Sequence, residues 1–489
     1  MRPKTVIVHW IGGCFLAGVV LIHFGLIGLG QWLADEYADF GRLERDGWLF
    51  LSDRLKWSPR PLSESLFCAY GWVVNHLHRP LIGVFLGMLW VGLIGAGLAT
   101  FWQNRRKRKE EEVWPDLLVA LALLALFVAG AGHTTWIFYW PAAAVAYMPT
   151  LAATLLLFLQ VARDGLSSSG GRLLCGSCLI VAAGTSETGA TFVLCYGLLQ
   201  AVQWVIAAFK KRDNLPGPAF VWWLLPTVIS VVVLLIVRLN RFHAIERPGL
   251  PFGPTKGHPL ASLIASMDEL SGEVLGRSAH FFGWHGLGSR LPSEILLALG
   301  VGLCWSRFGR LPKASARQIL VLVAALWLAC LLTIAAANLH FGVVCCDQHE
   351  SVRRCWILLS IAGVGMLLSP WIGRGRLQRY AVSSALAQFL LCAAVLSVWQ
   401  ARPVLRTYRM YGSVRQATEQ NFQAGFHAGD KQMVFLLLPE TLIAQPQIGP
   451  GNYTQGPETP PDIQSVLIFF KKSCIVARSP TDWLYDRQR

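Results

Sequence analysis

Residues 35–61 read DEYADFGRLERDGWLFLSDRLKWSPRP and follow directly on the first long apolar run of the chain. Acids and arginines alternate there with Trp48, Leu49, Phe50, Leu51, Leu55 and Trp57. A segment too polar to cross a bilayer and too apolar to float free is best placed in the membrane interface, with its aromatics turned toward lipid. Its two leading carboxylates, Asp35 and Glu36, then sit at the membrane surface. That is where an enzyme acting on a lipid-carried substrate needs a base.

The composition demands a membrane around this segment. Of 489 residues, 54% are hydrophobic and only 15% are charged, against about 25% charged in soluble domains. The mean hydropathy is +0.46. Long apolar runs recur from end to end, at 5–30, 81–102, 114–132, 141–161, 173–186, 188–208, 218–239, 294–305, 319–337, 355–371 and 381–400. Spanning the hydrocarbon core as a helix takes about 20 such residues. These eleven runs predict an all-α polytopic membrane protein, with 173–186 and 294–305 the short ones. The first run has no small-residue cleavage signal after it and reads as a retained helix.

Basic residues in the short loops set the expected orientation. Arg2 and Lys4, the run from Arg105 to Lys109, Arg163 and Arg172, Lys210 to Arg212, Arg307 to Arg317 and Arg374 to Arg379 fall on one side. The opposite short turns hold only Arg353 and Arg354. The N-terminus is therefore expected in the cytoplasm, and the net charge of +15 needs no nucleic-acid partner. In this arrangement residues 1–400 are the transmembrane domain, carrying a first outer loop at 31–80 and a large one at 240–293. Residues 401–489 form a small extracytoplasmic α/β domain: 411–432 has helical spacing, 433–439 reads as a buried strand, and SVLIFF and CIVA follow a Gly/Pro-rich loop. Residues 62–78, LSESLFCAYGWVVNHLH, predict a second surface-lying helix.

The polar residues of these outer segments are the candidates for chemistry. Asp35 and Glu36 could deprotonate a hydroxyl or hold a divalent cation, or could simply cap the helix that follows them. Asp39, Glu44, Asp46 and Asp53 have basic neighbours and read as surface pairs. Glu187 lies in AAGTSETGATFVL, where it either faces a cavity or solvates a turn. His349, Glu350, Arg353 and Arg354 open a late helix, and the arginine forks suit a phosphate or diphosphate, or a lipid headgroup. His340, Cys345, Cys346 and His349 match no standard zinc spacing. Arg241 and Lys256, with Glu246, Arg247, His243, His258, His280 and His285, furnish the large outer loop with groups for a polar acceptor or a sugar diphosphate. Cys175 and Cys178 sit in an apolar run, where thiols pack as small apolar groups. Asn452 and Thr454 match a glycosylation acceptor by spacing alone.

A retained N-in first helix, an acidic pair opening the first outer loop, interfacial helices, many further spans and a small outer C-terminal domain together resemble the GT-C integral membrane glycosyltransferases. The resemblance covers most of the chain as architecture. It implies transfer of a sugar from a polyprenyl-phosphate donor to a glycan or lipid acceptor on the outer face, in a bacterial inner membrane. It also implies a base at Asp35, with Glu36 beside it, and a donor-phosphate contact at Arg353 or Arg354. The family's second acidic motif has only Asp268 with Glu269, or His349 with Glu350, to answer to it. A transporter or flippase lined by Glu187 and the arginines is the competing expectation, and a non-catalytic assembly subunit a third.

Overall fold

A computed structural model describes residues 3–105, 110–131, 135–210, 221–244, 255–275, 295, 298–303, 313–342, 344, 347–368, 405, 407–427, 429–439 and 449–485 of the protein. In chain order the helices are α1 (Pro3–Gly25), α2 (Ala34–Asp46), α3 (Leu49–Trp57), α4 (Pro61–Leu77), α5 (Ile82–Arg105), α6 (Glu110–Gly130) and α7 (Pro141–Ala162). Then follow α8 (Ser169–Thr185), α9 (Glu187–Lys210), α10 (Val221–Ala244), α11 (Pro259–Leu275), α12 (Lys313–Phe341), α13 (Asp347–Leu368) and α14 (Tyr411–Phe426). The C-terminal part continues with β1 (Gln432–Leu436), β2 (Gly451–Thr454), α15 (Pro461–Phe469), β3 (Cys474–Arg478) and α16 (Pro480–Tyr485).

Seven helices among the described residues are long and apolar enough to cross a membrane. They are Ile11–Leu29, Ile82–Ala99, Pro141–Ala162, Glu187–Ile206, Val221–Asn240, Lys313–Phe341 and Gln348–Leu368, and they mark an integral membrane protein. Two further expected spans are helices of shorter reach. The apolar part of α6 is confined to Leu117–Gly130, and α8 has 17 residues. The expected span at 381–400 lies outside the described residues, and that at 294–305 largely so. Seven of the eleven expected spans thus fall on helices of spanning length among the described residues.

The chain divides into two compact units, one drawn from Met1–Leu21, Gly92–His133 and Pro149–Ala401, the other from Ile22–Val91, Thr134–Met148 and Arg402–Arg489. In the first unit, α9 packs against α8, α10 and α12, α12 against α11 and α13, and α13 against α6. The break between α8 and α9 is made by polar side chains. Ser186 Oγ accepts from Gly189 N at 2.9 Å and so caps α9, while the Thr150 hydroxyl bonds those of Thr185 and Ser186, each at 2.8 Å. The segment PLASLIASMDELSGEVL forms α11, whose Leu260, Leu263, Ile264 and Met267 are exposed while Ser262 and Ser266 are buried. Asn338 of α12 donates to Ser266 Oγ at 3.0 Å. That inversion is the reverse of a helix in water and is what a lipid-facing apolar stripe produces.

The second unit is organised by Trp32. Its ring meets those of Tyr37, Phe40, Tyr70, Phe422 and Phe469 edge-on, the geometry that the ring quadrupoles favour. Its Nε1 donates to Tyr70 Oη at 2.9 Å, so the one polar atom of a buried indole is satisfied. The helices of the first loop follow its punctuation. Helix α2 stops at Gly47, which takes a positive φ of 60° and returns its N–H to Leu43 O at 2.9 Å. Helix α3 ends before Pro59, and α4 starts with Pro61, whose missing N–H costs nothing there. Helix α4 buries Glu64, Phe67, Tyr70 and Val74 and exposes Leu62, Leu66, Trp72 and Leu77. Both surface-lying segments expected from the sequence are therefore helical, as three helices instead of two.

Residues 402–489 share this unit with the first loop. Their sheet has the order β1-β3-β2, with β1 parallel to β3 (Val434 opposite Val476) and β2 antiparallel to it (Tyr453 opposite Ile475). Of the two apolar stretches after the Gly/Pro-rich loop, CIVA enters strand β3 and SVLIFF enters helix α15, which packs on α2. Asn421 of α14 closes the outer edge of β1: its Nδ2 donates to Leu436 O at 2.9 Å and its Oδ1 accepts from Leu436 N at 2.7 Å.

Candidate functional site

The acidic pair that opens the first loop splits into two different roles. Positions 35 and 36 are about 100° apart on a helix, and only one of them can share the face of Leu33, Tyr37, Phe40 and Leu43. Glu36 does, and it is fully buried. Its Oε2 accepts from Leu33 N and from Trp140 Nε1, both at 2.9 Å, and its Oε1 accepts from Ala142 N at 2.9 Å. Leu33 precedes α2 and Ala142 lies in the first turn of α7. One carboxylate thus serves the N-terminal N–H groups of two helices, where backbone donors lack intrahelical partners and the dipoles favour an anion. Burial nevertheless pushes the Glu36 pKa up to about 8, against the three hydrogen bonds that lower it.

Asp35, on the neighbouring face, keeps its side chain accessible to water. Protein crowded around the carboxylate raises its pKa, Arg54 pulls it back, and the charge of Asp462 adds to the rise. Arg54 is held by two further acids. It pairs with Asp39 at 2.8 Å and with Glu64 at 3.0 Å, and its guanidinium lies 5.9 Å from the Phe67 ring centre. The expectation that Asp39 is a surface pair fails on one point: Asp39 and Glu64 are both buried. Burial lifts Asp39 to about 6 despite Arg54.

The same unit holds a cleft of about 60 Å³, lined by Trp32, Tyr37, Phe422 and Phe435, by Leu33, Ile82, Leu437, Leu438 and Val466, and by Gln31, Thr418, Asn421 and Asp462. Leu33 and Tyr37 flank Asp35 in the chain, and Asp462 stands in the first turn of α15. Asp462 went unnoticed in the sequence because nothing near it in the chain carries a chemical pattern.

The first unit holds the remaining candidates. Glu187 is the first residue of α9 and is buried, and its neighbour Thr188 bonds His349 Nδ1 at 3.0 Å. Arg353 is buried and committed: its Nε lies 3.0 Å from both carboxylate oxygens of Glu273, and its Nη2 bonds Oε1. Arg354 and Glu350, on the same helix, are half-buried. Lys256 is half-buried in the turn before α11, where Gly257 N donates to Leu339 O at 2.9 Å. Arg241 falls in the last turns of α10, and its side chain lies outside the described residues. So do Glu246, Arg247, His280, His285, Cys345 and Cys346. Among the described residues no group of three or more His, Cys, Asp or Glu side chains is placed to hold a metal ion.

Fold and site together define an integral membrane protein whose first loop and C-terminal segment form one compact unit around an acidic, aromatic cleft. The chain matches no protein-family model and no curated protein.

Proposed function

We propose that the protein is a GT-C-type membrane glycosyltransferase that moves a sugar from a polyprenyl-phosphate donor to a glycan or lipid acceptor on the outer face of the membrane. The observation that supports it is the division of labour in the acidic pair: Glu36 is buried and fixes two helix starts, while Asp35 stays accessible on the scaffold so fixed. In this reading Asp35 is the base. It takes the proton of an acceptor hydroxyl as that oxygen bonds the anomeric carbon and the bond to the lipid phosphate breaks. The raised Asp35 pKa suits the task, since a base is most effective when its pKa approaches the working pH. In this reading the protein sits in a bacterial inner membrane with a cytoplasmic N-terminus.

The test is transfer by purified protein in nanodiscs, offered a panel of polyprenyl-phosphate sugars. Asp35→Asn is expected to lower turnover by about 10²–10⁴-fold and to leave the unfolding temperature nearly unchanged, because the side chain is accessible. Activity should rise with pH along a limb set above the ordinary aspartate range, since the deprotonated form is the active one. Wild-type transfer by Asp35→Asn would remove Asp35 from the mechanism. Movement of a lipid-linked sugar across proteoliposomes without transfer would favour the flippase reading.

A further inference from the structure

The cleft lined by Trp32, Tyr37 and Asp462 sets a few polar groups among apolar walls. Among the described residues that line it there is no Lys or Arg. Asn421 is held to Leu436 by both ends of its amide. Thr418 gives its hydroxyl proton to Val414 O at 3.1 Å and so turns lone pairs outward. Asp462 is half-buried in the first turn of α15, and Asp35 occupies the first turn of α2, against which α15 packs. Their charges are close enough to act on each other, and no Lys or Arg among the described residues forms an ion pair with Asp462. Asp462 and Thr418 therefore present acceptors to an occupant, beside the polar ends of Gln31 and Tyr37.

A phosphate would meet Asp462 with no Lys or Arg among the described lining residues and would be repelled. A group that donates hydrogen bonds and carries no negative charge meets the opposite situation. The rings of Trp32, Tyr37, Phe422 and Phe435 supply apolar walls for the rest of such a molecule. Size narrows what enters the cleft, because about 60 Å³ takes a few water molecules or one edge of a ring. We propose that this cleft binds the hydroxyl edge of an uncharged sugar ring, with Asp462 as the residue that positions it. Its description as the acceptor subsite rests on the transferase reading of Asp35.

The experiment is saturation-transfer NMR on the full-length protein in nanodiscs, with methyl glycosides of neutral hexoses and pentoses as probes and the matching sugar phosphates beside them. At least one neutral glycoside is expected to receive saturation, and its phosphate much less. Asp462→Ala should weaken that binding by about tenfold or more, the scale of a hydrogen bond to a charged group. Asp462→Asn keeps the shape of the side chain and carries the test if the alanine variant unfolds. Absence of any neutral-glycoside signal, equal binding of the phosphates, or binding indifferent to both variants would overturn the proposal. If binding follows Asp462 while no polyprenyl donor is turned over, the subsite stands and the transferase reading falls. If donors are turned over and binding ignores Asp462, the reading stands and the subsite falls.

Discussion

Glu36→Ala is expected to abolish the ordered second unit, and the reason lies in what the carboxylate leaves behind. Leu33 N, Trp140 Nε1 and Ala142 N all donate to it in a fully buried position. Each donor stranded without water costs about 1–3 kcal/mol, so three together cost about 3–9 kcal/mol, comparable to the about 5–15 kcal/mol that holds a typical domain. Loss of the near-ultraviolet tryptophan signal and rapid proteolysis between 31 and 80 would report it. Glu36→Gln should be milder, since the amide oxygen can still accept while its NH₂ faces one N–H.

The same residue gives a pH dependence of definite sign. Its folded-state pKa, pushed up to about 8 from 4.5, means that the folded state holds the proton more tightly than the unfolded chain does. The stabilisation is complete below about pH 4.5 and is lost as pH rises through about 8. Asp35 and Asp39 shift in the same direction, so the wild type alone cannot isolate Glu36. The margin by which wild type exceeds Glu36→Gln in unfolding temperature should shrink from pH 5 to pH 8. A margin that widens would show that the three donors outweigh burial.

Part of this was readable from the residues. Hydropathy locates the seven spanning helices because lipid leaves a backbone no other partner than its own helix. Gly47, Pro59 and Pro61 cut the first loop into helices where the structure has them. The burial of Glu36 was also within reach: it stands three residues after Leu33 and four before Phe40, on the apolar stripe, whereas Asp35 does not. Reading the two acids as a pair hid their helical phase. Helix α11 escaped because its apolar stripe faces outward and its serines inward, so a pattern tuned to water-facing surfaces assigns it the wrong side. Asp462 and Glu273 were beyond local reading. Each acquires its meaning from a residue far away in the chain, Asp35 for one and Arg353 for the other.

Arg353 shows what such a distant partner can decide. One of the two arginines that suited a phosphate is buried with Glu273, both side chains almost wholly inaccessible. A guanidinium in apolar surroundings must be paired, because desolvating it costs several kcal/mol that only a close, hydrogen-bonded counter-charge returns. Removing either partner alone leaves the other charge stranded. Arg353→Met and Glu273→Leu are therefore each expected to destabilise the first unit by about 3–5 kcal/mol, read as a large fall in unfolding temperature in detergent. The double variant should recover most of that loss, since a well-packed apolar pair can replace a buried ion pair at little cost. Arg353→Lys should fall between, keeping the charge but losing the fork that meets both carboxylate oxygens. If the double variant is no more stable than the worse single one, the pair is held by contacts other than mutual charge, and Arg353 regains its claim to a ligand outside the protein.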